Sequence, residues 1–188
     1  MKRIIKSKES KIIRSNLKYK KGSNKKLCEL LTKEQQDFCA YTENPITAAF
    51  SEDIEHFNPG LKFTKRDNYF NWFVVSSNWN RKKGTKWADY QPILHPANPD
   101  FEERIKFDKT DCVYFFAPGD KEAENLIKLL DLNNEKLLKE RQNYILGLKN
   151  CIEECKVSLE KFCEINRSHF KFRRAFEETF HFLPIPNL

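Results

Sequence analysis

Glu55 and His56 stand side by side in Ile54-Glu55-His56-Phe57-Asn58-Pro59, and two asparagines, Asn71 and Asn80, follow within the same 26 positions. A carboxylate and a carboxamide offer the oxygen ligands that a hard divalent cation prefers. An imidazole near its ordinary pKa takes a proton from water at neutral pH. A cation beside it offsets charge on a phosphate and on the leaving oxygen. These residue types are the parts of a one-metal phosphodiesterase. Arg81, Lys82, Lys83 and Lys86 surround the second asparagine and suit contacts to a phosphate backbone. The competing reading is structural: a core histidine beside a carboxylate, with the asparagines capping a turn and a helix.

The elements that must position these groups follow from local patterns. Ile54 to Phe57 reads as a short strand closed by Asn58-Pro59-Gly60, which delivers His56 to a loop mouth. A polar, turn-rich connection over 61–69 leads to Trp72-Phe73-Val74-Val75, a buried run that is strand or helix on periodicity alone. Upstream, Thr32-x-x-Gln35 has capping-box form and predicts a helix over Lys33 to Cys39, ended by Asn44-Pro45. Downstream, Tyr90 to Pro99 is proline-rich and irregular. Within it His95 is either a satisfied structural histidine or a further ligand or substrate contact. Arg104 to Phe107 and Val113 to Phe116 predict a small hairpin.

The last third reads as helical. Asp120 caps a helix to about Leu130, and a longer helix is expected from Asn134 to Glu164. Its apolar stripe is Leu137, Arg141, Tyr144, Leu148, Ile152 or Cys151, Cys155, Leu159 and Phe162. Cys151 and Cys155 read as small core members of that stripe, with a metal-binding pair as the alternative. Arg167, Lys171, Arg173 and Arg174 then interleave with Phe170, Phe172, Phe176, Phe180 and Phe182, which predicts a helix with its Phe face buried and its Arg face outward. The ending 183–188 has the form of a docking strand for a partner groove.

Composition bounds the rest. A chain of 188 residues with 16 Phe and 3 Trp suits one domain or a domain with a helical appendage. No apolar run approaches the ~20 residues that cross a bilayer, and the basic start lacks the apolar stretch of a signal peptide. Six cysteines without a Cys-x-x-Cys predict free thiols and a cytoplasmic setting. Residues 1–27 carry 11 Lys or Arg against one acid in a chain of net charge +7, so all of the excess lies in this arm. It reads as a phosphate-binding segment, part of which docks through Ile4-Ile5 and Ile12-Ile13, or as a solvated tail that aids solubility.

Further matches extend the first series. Gln35-Gln36 and Cys39-Ala40-Tyr41-Thr42-Glu43 precede it. Asn80 to Gly84, Pro92-Ile93-Leu94-His95-Pro96, Ala123 to Asn133, Leu137 and Arg141 follow in order. This series, from about Lys2 to Arg141, resembles the HNH, or ββα-metal, nuclease motif. It is most similar to the HNH nuclease subunits of Septu-type and retron-associated anti-phage systems (PtuB-like proteins). The resemblance implies an α+β protein with a ββα-metal core over 28–118, a basic arm over 1–27 and a C-terminal helical layer over 119–188. It implies Glu55 and Asn80 as ligands of one Mg²⁺ or Mn²⁺, His56 as general base and Asn71 as the group that orients it. Arg81, Lys82, Lys83 and Lys86 would hold the DNA backbone, and Glu43 and His95 are further candidate positions. An SMC-like or AAA-type ATPase subunit is the implied partner. This chain has no Walker motif, so ATP control must come from elsewhere. A non-catalytic DNA-binding or adaptor subunit and an HNH ribonuclease toxin are the two alternatives.

One departure is chemical. Many relatives hold a structural zinc with two Cys-x-x-Cys pairs, and the corresponding positions here are Cys39, Thr42, Ser76 and Trp79. One thiolate cannot complete a tetrahedral site, so no structural zinc is expected. Trp79, Phe73 and Tyr41 are expected to pack that corner instead.

Overall fold

The computed structural model describes residues 1–47, 51–166 and 170–181, the side chain of residue 166 excepted. In chain order, α1 (Lys11–Arg14) and α2 (Lys25–Glu34) precede the strands β1 (Glu52–His56) and β2 (Trp72–Ser76). Helix α3 (Ser77–Lys83) follows directly, then α4 (Phe101–Arg104) and the strands β3 (Lys106–Asp108) and β4 (Val113–Phe115). The helices α5 (Lys121–Leu129), α6 (Glu135–Cys155), α7 (Leu159–Asn166) and α8 (Arg173–Phe180) complete a mixed α+β arrangement. Each strand pair forms its own antiparallel two-stranded sheet. Among the described residues, no helix is long and apolar enough to cross a membrane.

Alternate residues of β2 enter different cores. Trp72 and Val74 pack with Ile12, Leu27 and Leu31, whereas Phe73 and Val75 pack with Tyr41, Phe57 and Leu94. A period of two with both faces covered belongs to a strand, which resolves the ambiguity of that apolar run. In its pairing with β1, Glu55 lies opposite Phe73 and His56 opposite Trp72. Gly84, at φ +46, then ends α3, and a side chain there would press on the Arg81 carbonyl at 3.0 Å.

Helix α2 corrects the capping-box expectation. Its buried face is Leu27 and Leu31, one turn apart, so the helix begins at Lys25 and Gln35 becomes its C-cap. The Gln35 carboxamide is bound elsewhere: its oxygen accepts from the Val74 N–H at 2.8 Å, and its nitrogen donates to the Val74 and Phe38 carbonyls at 2.9 Å. It thereby satisfies β2 on the edge away from β1, where among the described residues no further strand pairs with it.

The zinc-like corner closes without a second thiol. Cys39 Sγ accepts from the backbone N–H of Thr42 at 3.5 Å and of Ser76 at 3.3 Å, so three of the four positions do converge. Tyr41 and Phe73 are fully buried there, and the Trp79 indole donates to the Leu130 carbonyl at 2.9 Å.

Three expectations for the last third need correction. The long helix breaks at Lys156, in left-handed conformation, and Ser158 Oγ accepts from the Lys161 N–H as α7 begins. Cys151 and Cys155 are exposed with their sulfurs 3.9 Å apart, because α6 turns Tyr144, Leu148 and Ile152 inward and not the thiols. Phe170, Phe172 and Phe176 are buried as expected, but the arginines do not form an outward face. Arg174 is buried in ion pairs with Glu102 and Glu178, and Arg173 lies over the Phe38 ring. Arg167, Phe182 and the docking strand 183–188 lie outside the described residues.

The basic arm rests on the body. Ile12 and Leu27 share a core with Trp72, and the Ile4 N–H donates to the Pro96 carbonyl at 2.9 Å. The Lys6 ammonium donates to the Trp72 carbonyl at 2.6 Å between the Tyr69 and Phe73 rings. Burial there lowers its pKa to about 7 against the pull of Glu34.

Candidate active site

Strand geometry places Asp53 and Glu55 on one face of β1, because residues two apart point the same way. Helix geometry places Asn80 and Lys83, three apart, on one face of α3. The two faces meet. Asn80 Nδ2 donates to Asp53 Oδ2 at 2.9 Å, and the Lys83 ammonium donates to Glu55 Oε1. Lys83 also donates to the carbonyls of His56 at 2.9 Å and Phe57 at 2.7 Å.

Lys83 therefore departs from the expected phosphate contact. Its side chain is 3% exposed and that of Glu55 is 7% exposed. Burial lowers the lysine pKa and raises that of the glutamate, and each charge opposes the shift of the other. Arg81, Lys82 and Lys86 are exposed, although Lys82 pairs with Asp131 at 3.1 Å and covers the Trp79 ring.

His56 is buried at the end of β1, its ring edge-on to Tyr19 at 4.4 Å. Its Nε2 lies 3.1 Å from Asp67 Oδ2. A carboxylate can only accept, so the neutral ring donates from Nε2 and carries its lone pair on Nδ1. Burial, the larger influence, holds His56 below its ordinary pKa despite the upward pull of Asp67, and so favours the neutral ring. Asp67 also accepts from the Trp72 indole at 2.6 Å and the Phe63 N–H at 3.2 Å.

Asn71 is one step removed from the histidine. Its Oδ1 accepts from the Asn58 N–H at 2.8 Å, and its Nδ2 donates to the Asn58 carbonyl at 3.1 Å and to Asp67 Oδ1 at 3.4 Å. It locks the loop after His56 and steadies the carboxylate that holds the ring. The orienting group in contact with His56 is Asp67, which sequence reasoning missed; a single Asp in a polar loop carries no periodic or spacing signal. Asp53 was missed likewise, although its place two residues before Glu55 is a usable signal once β1 is known.

The two further candidates are occupied by the fold. His95 Nε2 donates to the Phe70 carbonyl at 3.2 Å, and its Nδ1 accepts from the Ala97 N–H at 3.1 Å. It lines, with Asn71, Phe57 and Trp87, a cavity of about 330 Å³. Glu43 is buried and accepts from Tyr114 Oη at 2.8 Å, the Lys2 N–H at 2.9 Å and the Arg174 N–H at 3.2 Å. It ties the arm to β4 and α8.

The donor chemistry around β1 and α3 fits Mg²⁺ or Mn²⁺ in kind, since Glu55, Asp53 and the Asn80 amide present only oxygen to a cation. Among the described residues, no group of three or more His, Cys, Asp or Glu is gathered to hold a metal ion. A cation at Glu55 would compete with the Lys83 ammonium, which already holds Oε1. Comparison with family models, curated proteins and solved structures gives no match to this chain.

Proposed function

We propose that this chain is a metal-dependent HNH endonuclease that hydrolyses phosphodiester bonds in DNA, as the effector subunit of an anti-phage complex. The observation that carries the reading is the strand–strand–helix unit in which the β1 face of Asp53 and Glu55 meets the α3 face of Asn80 and Lys83, with Asp67-held His56 next along the strand on its other face. In this reading His56, neutral and turned by Asp67, takes the proton of the attacking water at Nδ1. Asn71 and Asp67 hold that ring in place, and Glu55 with Asn80 would hold Mg²⁺ or Mn²⁺. Such an ion supplies charge stabilisation at the phosphate when bound. Arg81, Lys82 and Lys86 contact the backbone. The ATPase subunit, SMC-like or AAA-type, and the cytoplasmic setting rest on the family resemblance alone.

A second reading has its own observation. The ion pair between Lys83 and Glu55 suits a scaffold that binds nucleic acid without cutting, because the ammonium already neutralises the candidate ligand. Supercoiled plasmid incubated with Mg²⁺, Mn²⁺ or EDTA separates the two. Metal-dependent nicking that disappears in His56→Ala supports the nuclease. No cutting by the wild-type chain, with or without an ATPase subunit, sinks it.

A further inference from the structure

We infer that Tyr19 and Phe63, with Lys21 and Lys62, form a stacking platform beside His56 for an unpaired base, so that the preferred substrate is single-stranded DNA or a single-stranded stretch within a duplex. This deepens the nuclease reading and rests on it for the choice of DNA. Phe63 is 53% exposed, an unusual position for a large aromatic ring. Its backbone is left-handed at φ +62, a conformation that sterics disfavour for a bulky residue. The Asp67 carboxylate holds it there by accepting the Phe63 N–H, and the same oxygen receives His56. The platform and the candidate base are thus referenced to one group.

The rings and charges are arranged for a nucleotide. Tyr19 packs against the Trp72 core, with its ring 5.7 Å from Phe63 at 45° and 4.4 Å from His56. Lys62 Nζ lies 5.2 Å from the Tyr19 centroid and 5.4 Å from that of Phe63, with Lys21 Nζ 5.6 Å from Phe63. Exposed cation–ring contacts are weak, so folding gains little from holding an aromatic ring in this conformation. A base on an aromatic face with ammonium groups for the flanking phosphates uses both features, and it requires a base free of its partner strand. A paired duplex offers edges and phosphates but no open base face to a surface ring.

Binding measured by fluorescence anisotropy in EDTA tests this apart from cleavage. The probes are a labelled single-stranded oligonucleotide and the duplex of the same sequence. Wild type is expected to bind the single strand more tightly. Phe63→Ala should weaken that binding roughly 5- to 150-fold, the loss of one base stack, and leave duplex binding nearly unchanged. Phe63→Trp should retain the preference, which separates stacking from a general disturbance of the loop. Lys62→Gln should weaken both ligands and flatten the salt dependence by about 0.7 per lost single-strand phosphate contact. Equal binding of the two ligands by wild type, or a Phe63→Ala change that is absent or equal for both, overturns the proposal. Stacking in EDTA by a chain that never cuts would keep the platform and remove the nuclease; cutting without a single-strand preference would do the reverse.

Discussion

Replacing Lys83 by Met removes a buried ammonium and leaves the rest of the corner in place. Three acceptors lose their donor: Glu55 Oε1 and the carbonyls of His56 and Phe57. With both side chains under one tenth exposed, Glu55 is left buried without its ammonium counter-ion. Breaking such a pair from one side costs about 3–5 kcal/mol. Against a total stability of about 5–15 kcal/mol this is a large fraction. It corresponds to a fall in Tm of roughly 6–20 °C for a chain of this size. Lys83→Met with Glu55→Gln should recover about 2 kcal/mol or more, because the uncompensated charge has gone. Urea unfolding in EDTA measures both variants beside wild type. The same material then tests the metal: Mg²⁺ at a hundredfold excess over its Kd should return about 2.7 kcal/mol to Lys83→Met, and less to wild type, where the ammonium competes. A Lys83→Met cost under about 1 kcal/mol, or an equal Mg²⁺ response in both proteins, refutes this account of the corner.

Other consequences are as direct. Asp67→Asn should lower the nicking rate by about 10²- to 10⁴-fold, the share of a positioned base, with KM little changed and the fold retained; an unchanged rate would show that His56 needs no such partner. His95 should titrate below its ordinary 6.5 by NMR, since burial outweighs its bond to the Phe70 carbonyl. A depressed folded pKa means that its contribution to stability is complete above pH 6.5 and is lost as pH falls through the folded midpoint; a midpoint at or above 6.5 contradicts this. Purified protein should contain zinc well below one ion per chain, and EDTA should leave its Tm unmoved, because Cys39 Sγ takes backbone N–H groups in place of a metal. One tightly held zinc would refute that.

What could be read from the sequence was what repeats or punctuates. Asp120 accepts from the Ala123 N–H as a cap should, Gly84 stops α3, and the short hairpin forms over Lys106–Asp108 and Val113–Phe115. Glu55 and Asn80 could be picked out by type, and they come to one corner. The failures share a cause: long-range partners override local pattern. Gln35 has the spacing of a capping box, yet Val74 claims its carboxamide. Lys83 sits in a basic run, yet Glu55 takes it inside. Cys151 and Cys155 keep helical spacing with the stripe, but a shift of one position around α6 turns them to solvent. Asp67 was invisible because its partners His56, Trp72, Asn71 and Phe63 converge only when the loop over 57–71 closes.

That loop shows how rigidity and chemistry are separated in this fold. A zinc knuckle would fix the approach to β1 and β2 by coordination; here it is fixed by Cys39 Sγ, by Gln35 along β2 and by the Trp79 indole on Leu130. None of these three contacts involves Glu55, Asn80 or His56. The scaffold here is held by the protein's own groups, and at the Glu55 corner Lys83 supplies the charge balance. The ammonium keeps Glu55 paired and the carbonyls after it bonded, which fixes the strand end that carries His56. A site built this way leaves neither Glu55 nor Lys83 as an unpaired buried charge at rest, and in the proposed nuclease, activity would depend on a cation that competes with Lys83 for Glu55.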